Sequence, residues 1–310
     1  MLDRDSVPCC CHRAGRLAAS AVLVAAVLWP AAVAWAQSPP AFVLAWGGAG
    51  VKPGNLMAPR AVALDKDGNV YVPDKSGRLQ EFSPDGKPLQ EWGGTDDFER
   101  MFQDPMAAAV APDGEPVVAD QVLVRKYDMH GESTQRWGAA RPQGLAMTAR
   151  GAFYVTDGQN QRVLLFDGPG KPKQVFGKPG PGDGEFASPT GIAVDGKGNI
   201  FVADTGNNRV QKFASDGAFI AKWGTSGSGP GQFDAPQGVA VDKAGNVYVV
   251  DQKNARVQVF TGEGKFLFQW GTPGAGNGQF ASPTGIAVDK RGNIYVADTG
   301  NNRVQKFATK

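Results

Sequence analysis

From residue 42 onward the chain alternates short apolar, β-branched runs with clusters of Gly, Asn, Asp and Pro. Residues 285–289 (GIAVD) form one such run, continuous and apolar, the pattern of a short strand covered on both faces. Lys290, Arg291, Gly292 and Asn293 then form a turn whose glycine accepts positive φ. NIYVAD predicts a second strand, DTGNN a polar loop, and RVQKF a third strand with alternating faces. In an earlier unit Ser215, Asp216 and Gly217 turn the chain into AFIAKWG, a fourth strand.

This unit recurs. Residues 186–215 and 280–309 are identical at 26 of 30 positions and stand 94 residues apart, with a third copy at 236–260 midway, so the period is 47. A period of that size belongs to propellers and repeat arrays. Weaker copies carry the pattern back to the start. The pairs Trp46-Gly47, Trp92-Gly93, Trp137-Gly138, Phe176-Gly177, Trp223-Gly224 and Trp270-Gly271 mark six units. So do the strand-ending acids Asp74, Asp120, Asp157, Asp204, Asp251 and Asp298. The repeat opens on a fourth strand (42–47) and closes on a third strand ending at Phe307. The expected fold is therefore all-β: a six-bladed β-propeller of four-stranded antiparallel blades, its ring closed by the N-terminal strand completing the last blade.

The carrying words are G-x-G-x-G-Q-F-x-x-P-x-G-[IV]-A-V-D, G-N-[IV]-[FY]-V and D-x-x-N-x-R-V-Q-x-F, and they resemble NHL repeats. The resemblance spans residues 42–310 and is clearest in blades four, five and six. It implies a six-bladed NHL-type propeller of the exported bacterial type. Such propellers serve as protein-binding discs, RNA-binding discs, extracellular sensors and a few enzymes, so activity must come from the residues. Blade one shortens its loop, placing Arg78 four residues after Asp74. Blade two carries Leu123 where the repeat puts Arg, and blade three lacks the glycine-rich GQF segment before Pro142.

Composition adds a leader. Arg4, Arg13 and Arg16 precede an apolar run from residue 17, followed by Ala34-Trp35-Ala36. That is the pattern of a signal peptide over 1–36, cleaved after Ala36, with 37–41 a linker and 42–310 the propeller. The competing reading is a membrane anchor over residues 17–36. The first reading makes the product exported, periplasmic or extracellular; the second makes it membrane-anchored. All three cysteines (Cys9, Cys10, Cys11) fall in the leader, so the propeller offers no thiol chemistry. Without residues 1–36 the 32 basic and 30 acidic side chains become 29 and 28, a net charge of +1. That balance implies neither a nucleic acid nor an anionic membrane as partner.

Catalytic candidates are few. His130 is the one histidine beyond the leader and falls in the turn Asp128-Met129-His130-Gly131, so the histidine-rich zinc site of a related amidating lyase is missing. Propeller lactonases hold calcium or a similar hard ion with Asp, Asn and Glu on the channel. Here the inner strands carry acids only at their far ends (Asp65, Asp195, Asp242 and Asp289), where turn capping is expected. No cofactor is expected; a channel-bound calcium-like ion is the alternative. Asp204, Asp251 and Asp298 with Arg209, Arg256 and Arg303 are expected to be structural bridges across the loop between second and third strands. The G-x-G-x-G-Q-F segments are expected to be flexible connectors.

What remains is a rim. Arg60, Met106, Gln143, Thr190, Gln237 and Thr284 should ring the channel mouth, with Lys75, Lys253, Phe98 and Arg100 on surrounding loops and Arg141 beside a notch at blade three. The expected function is non-enzymatic: a binding or scaffold propeller, monomeric, recognising an envelope or extracellular protein or peptide through this face. The alternative is a hard-metal-dependent enzyme, lyase or lactonase-like, acting at the channel. RNA binding comes third, opposed by export and by the net charge.

Overall fold

A computed structural model of the chain describes residues 38–94 and 102–309. The expected leader, Phe98 and Arg100 lie outside the described residues. Among those described, helical structure is confined to two single 3-10 turns, Thr205–Asn207 and Thr299–Asn301. Everything else regular is strand.

Six four-stranded antiparallel sheets follow one another along the chain. Blade five shows the plan: an inner strand Pro236–Val241, then Val247–Asp251, Arg256–Phe260 and an outer strand Phe266–Trp270. Its turns use the expected chemistry. Asp242 Oδ1 accepts from the Asn246 backbone N–H and Oδ2 from the Asn246 side chain. Asp65, Asp195 and Asp289 cap their turns in the same way. These acids are turn formers.

Blade six has three strands of its own: Ile286–Val288, Asn293–Asp298 and Arg303–Ala308. The fourth is the N-terminal strand Ala41–Gly47, antiparallel to the third, with Ala41 opposite Ala308 and Gly47 opposite Arg303. Inner strands pack against inner strands from blade one through blade six, and the inner strand of blade six packs against that of blade one. The ring is closed.

The core is not inside the blades. Six buried apolar clusters occur among the described residues, and each lies between two neighbouring blades. A single sheet therefore has no core of its own and depends on both neighbours. Into five of the interfaces the connector drives one apolar plug: Leu56, Phe102, Phe186, Phe233 and Phe280, all essentially buried. Between blades two and three the shortened connector supplies only Ala139.

The glycine-rich connectors are not flexible, contrary to the sequence reading. Arg256 extends beyond its own loop: Nη1 donates to Ser228 O (2.6 Å), and Nη2 to Gly229 O and Gln232 O (both 2.9 Å). Gln258 closes the same segment, donating to Gln232 O and accepting from Gly231 N–H. Arg209 and Gln211 repeat this grip one blade earlier. A buried guanidinium needs several acceptors, and the connector's carbonyls need donors. Each satisfies the other.

The expected Asp–Arg pairs are in bonding contact across the loop. Nε of Arg209, Arg256 and Arg303 donates to Asp204, Asp251 and Asp298 at 2.7–2.8 Å, and each of these carboxylates is fully buried. Blade two, lacking Arg at 123, recruits Arg125 to Asp120 instead (2.5 Å).

Candidate functional site

A proline leads into each of the six inner strands, and the residue before each proline has left-handed backbone. Ala58, Asp104, Arg141, Ser188, Ala235 and Ser282 have φ between 45° and 57°. L-residues adopt this region at a cost of roughly 1–2 kcal/mol each. Neighbouring blades hold several of them there: Asn302 Oδ1 accepts from Ala58 N–H, Asn208 Oδ1 from Ala235 N–H, and Gln161 Oε1 from Ser188 N–H. The two residues after the proline then face the axis. At the second of them blades one and two carry Ala61 and Ala107, whereas blades three to six carry glycine where the neighbouring inner strand approaches so closely that a side chain would collide. A Cβ on Gly238 would sit well inside contact distance of the Thr284 carbonyl, and one on Gly285 would lie 2.5 Å from the Cα of Ala61.

This geometry brings Arg60, Met106, Gln143, Thr190, Gln237 and Thr284 together, one from each blade, around a cavity of about 310 Å³. Behind them Val62, Ala108, Leu145, Ile192, Val239 and Ile286 form an aliphatic collar. The same six collar side chains line a second cavity, about 610 Å³, opening toward the other face, where Asp65, Lys66, Asp67 and Lys290 surround an Ala- and Val-rich funnel. The channel thus has a polar mouth, an apolar waist and an apolar funnel.

The polar groups of the mouth divide into occupied and free. The Thr190 hydroxyl is bonded to Thr205 Oγ1 (2.7 Å) and Gln237 O (3.1 Å), and that of Thr284 to Thr299 Oγ1 and Arg60 O (both 2.7 Å). These hydroxyls stitch blade to blade. Arg60 donates to Asp104 at 3.2 Å, and Gln121 donates to the same carboxylate. Gln143 Nε2 donates to Arg141 O. The amides of Gln237 and Gln252 have no protein partner among the described residues and line the cavity.

Lys75 and Lys253, expected on the surrounding loops, are both exposed. Lys253 pairs with Asp234 at 3.1 Å, and neither it nor the exposed Lys75 lines the cavity. At blade five the cavity is met instead by Gln252, one residue earlier, which the sequence reading missed. Its signal is the residue that follows each strand-ending acid: Lys75, Gln121, Gly158, Thr205, Gln252 and Thr299. That position varies while its surroundings repeat.

Beside the mouth a side cavity of about 200 Å³ is lined by Arg141, Gln143, Gly158, Ser188, Pro189 and Thr190. It occupies the expected notch at blade three and shares Gln143 and Thr190 with the central cavity. Gly158 keeps it open, since a Cβ there would fall 2.8 Å from Cγ of Gln143.

A different cleft, about 440 Å³, lies between blades one and two and is lined by Tyr71, Glu81, Trp92, Asp128 and His130 among others. Burial raises the Glu81 carboxyl above its ordinary value. Burial likewise pushes up the Tyr71 hydroxyl, helped by the Glu81 charge. His130 is exposed, as expected, and its backbone N–H donates to Asp128. The described residues contain no group of three or more His, Cys, Asp or Glu placed to hold a metal ion, and no carboxylate lines the central cavity. The oxygen donors that the described lining offers are amide, hydroxyl and carbonyl groups, without the carboxylates that usually anchor a hard ion.

Comparison with known proteins agrees with this architecture. The family description "NHL repeat" matches residues 186–213, 233–260 and 280–307, which are blades four, five and six. A curated relative, Protein brain tumor of Drosophila melanogaster, is 25% identical over 141 residues, 43% of this chain and 14% of its own length. The chain therefore matches only a small part of that relative. Among solved structures, an auxiliary nutrient binding protein from Bacteroides ovatus superimposes with a TM-score of 0.64 at 15% identity, covering 88% of this chain and 78% of that one. A gluconolactonase from Xanthomonas campestris gives 0.60 at 15% identity, covering 88% and 98%. A streptogramin B lyase gives 0.60 at 12% identity, covering 86% and 98%. At such identities the likeness concerns the fold, and one fold carries binding proteins and enzymes alike. The chain thus carries three NHL repeats, in blades four, five and six, and the other three blades reproduce their strand plan in a six-bladed β-propeller.

Proposed function

We propose that the protein is an exported, non-enzymatic propeller that binds a protein or peptide partner through the loop face around the channel mouth. The observation carrying this reading is the chemistry of the cavity. It presents the amides of Gln143, Gln237 and Gln252, a guanidinium already paired with Asp104, and an aliphatic collar beneath. Neutral amides over an apolar floor suit a peptide backbone and an inserted side chain. The same lining offers no carboxylate, imidazole or thiol to act as base or nucleophile, which favours binding over the lyase or lactonase chemistry of the enzymes that share the fold. A near-neutral chain, with a formal net charge of +2, also gives little electrostatic support to an RNA partner. Export rests on the N-terminal pattern of basic, apolar and A-x-A residues.

The test is a cross-linking capture from the envelope fraction with three chains. One is unaltered, one carries Gln143→Ala, Gln237→Ala and Gln252→Ala, and one carries Lys66→Ala and Lys290→Ala at the opposite opening. A partner kept by the first and third and lost by the second supports the reading. A partner lost only by the third moves the site to the other face. Capture of nothing by the unaltered chain ends the reading.

A further inference from the structure

The notch at blade three differs from the other five blade junctions in three independent ways, and all three act at one place. The connector before Pro142 is short, so no glycine-rich loop covers the junction. The residue after the strand-ending acid is Gly158, where blades four and six have Thr205 and Thr299 with hydroxyls bonded across to the next blade. And Arg141 is exposed there with no carboxylate partner among the described residues, although Arg60, Lys253 and the arginines that follow the strand-ending acids all pair with nearby carboxylates.

The side cavity that results is continuous in its lining with the central one through Gln143 and Thr190. Gln143 also donates to the carbonyl of Arg141, which ties the notch wall to the cavity wall. A ligand following that shared wall would border both cavities. At one end it meets a free guanidinium, in the middle the Gln143 amide, and at the far end the free amides of Gln237 and Gln252 above the aliphatic collar.

We propose that the notch receives the C-terminal carboxylate of a partner peptide, paired with Arg141, while the preceding residues run past Gln143 and Thr190 into the channel mouth. This rests on the peptide-binding reading above and gives it a chemical class and a direction. A planar guanidinium forms two parallel hydrogen bonds to a carboxylate. The adjoining amides supply donors and acceptors for the last peptide groups, and the collar receives an apolar side chain. A chain terminus fits the notch better than an internal acidic residue, because the side cavity holds only about 200 Å³ beside the wall formed by Ser188 and Pro189.

The experiment is a display screen of short peptides with free C termini against the full chain, followed by affinity measurements on the peptides that bind. Each is compared with its C-terminal amide, and each is measured against Arg141→Gln, Arg141→Lys, Gly158→Thr and the triple glutamine variant. Losing a charge-assisted pair weakens binding by roughly tenfold or more, and that loss is expected for amidation and for Arg141→Gln. Arg141→Lys should keep part of the affinity, and Gly158→Thr, which fills the notch, should lose it. Peptides that bind equally well as amides and to Arg141→Gln, yet lose affinity with the triple variant, overturn the carboxylate pairing and leave the face intact. Peptides indifferent to the triple variant overturn both. A screen yielding no peptide also overturns both, and single-stranded RNA binding lost in Arg141→Gln would then point to phosphate.

Discussion

Arg256 donates from Nε to Asp251 Oδ2 at 2.8 Å, and its remaining N–H groups hold the connector that enters the same blade. One side chain thus closes the loop between the second and third strands and fixes the segment from the previous blade. The pair lies out of water, with Asp251 fully buried and Arg256 nearly so. Its value lies in what would be left behind without it: a buried carboxylate and several orphaned carbonyls.

Arg256→Met is accordingly expected to destabilise the protein by about 3–5 kcal/mol. Urea unfolding measures the loss. Hydrogen exchange should localise it, with faster exchange at Gly227, Gly229 and Gly231 than in the unaltered chain. Unchanged exchange there would mean that the guanidinium does not hold the connector.

Gly238 gives a second prediction, about the width of the channel. Its Cβ would strike the Thr284 backbone, whereas a Cβ on Gly245 meets open space and faces only an unfavourable φ of +86°. Gly245→Ala should cost roughly 1–2 kcal/mol. Gly238→Ala should cost more, because it must push the inner strand of blade six away from the axis, and overpacking of this kind adds about 1–3 kcal/mol and occasionally more. Denaturant midpoints of the two variants decide the order. Equal losses would mean that the inner strands are not in contact at this layer.

Glu81 carries a pH prediction. Burial comes first among the causes that raise its carboxyl, opposed by a hydrogen bond from Tyr71, reinforced by the Asp65 charge, and opposed again by Asn69. Because the folded value is raised, the folded protein binds this proton more tightly than the unfolded chain. Ionised Glu81 therefore lowers stability at neutral pH, and the penalty fades as pH falls through the raised value toward the unfolded one. Glu81→Gln should be more stable than the unaltered chain at neutral pH, with the two converging in mild acid. A stability difference that grows on acidification would reverse that sign.

The strands, the turns, the number of blades and the closing of the ring by residues 41–47 are legible along the chain. Each is written in consecutive residues: β-branched runs, Gly-Asn turns with capping Asp, and a 47-residue period. The six residues that encircle the mouth are legible too, since a fixed offset from each proline is a local rule that six-fold repetition carries to the axis. Other features belong to the tertiary structure alone. The connectors read as flexible because glycine is, yet Arg256 holds them through carbonyls 24 to 28 residues away. Gln252 meets the channel cavity, a placement that the sequence around it does not distinguish from that of its loop neighbours. The left-handed residues before each proline, the aliphatic waist shared by two cavities, and the wall of Gln143 and Thr190 that notch and channel share all arise where blades meet. No single repeat contains both sides of such a junction, so no reading along the chain could supply them.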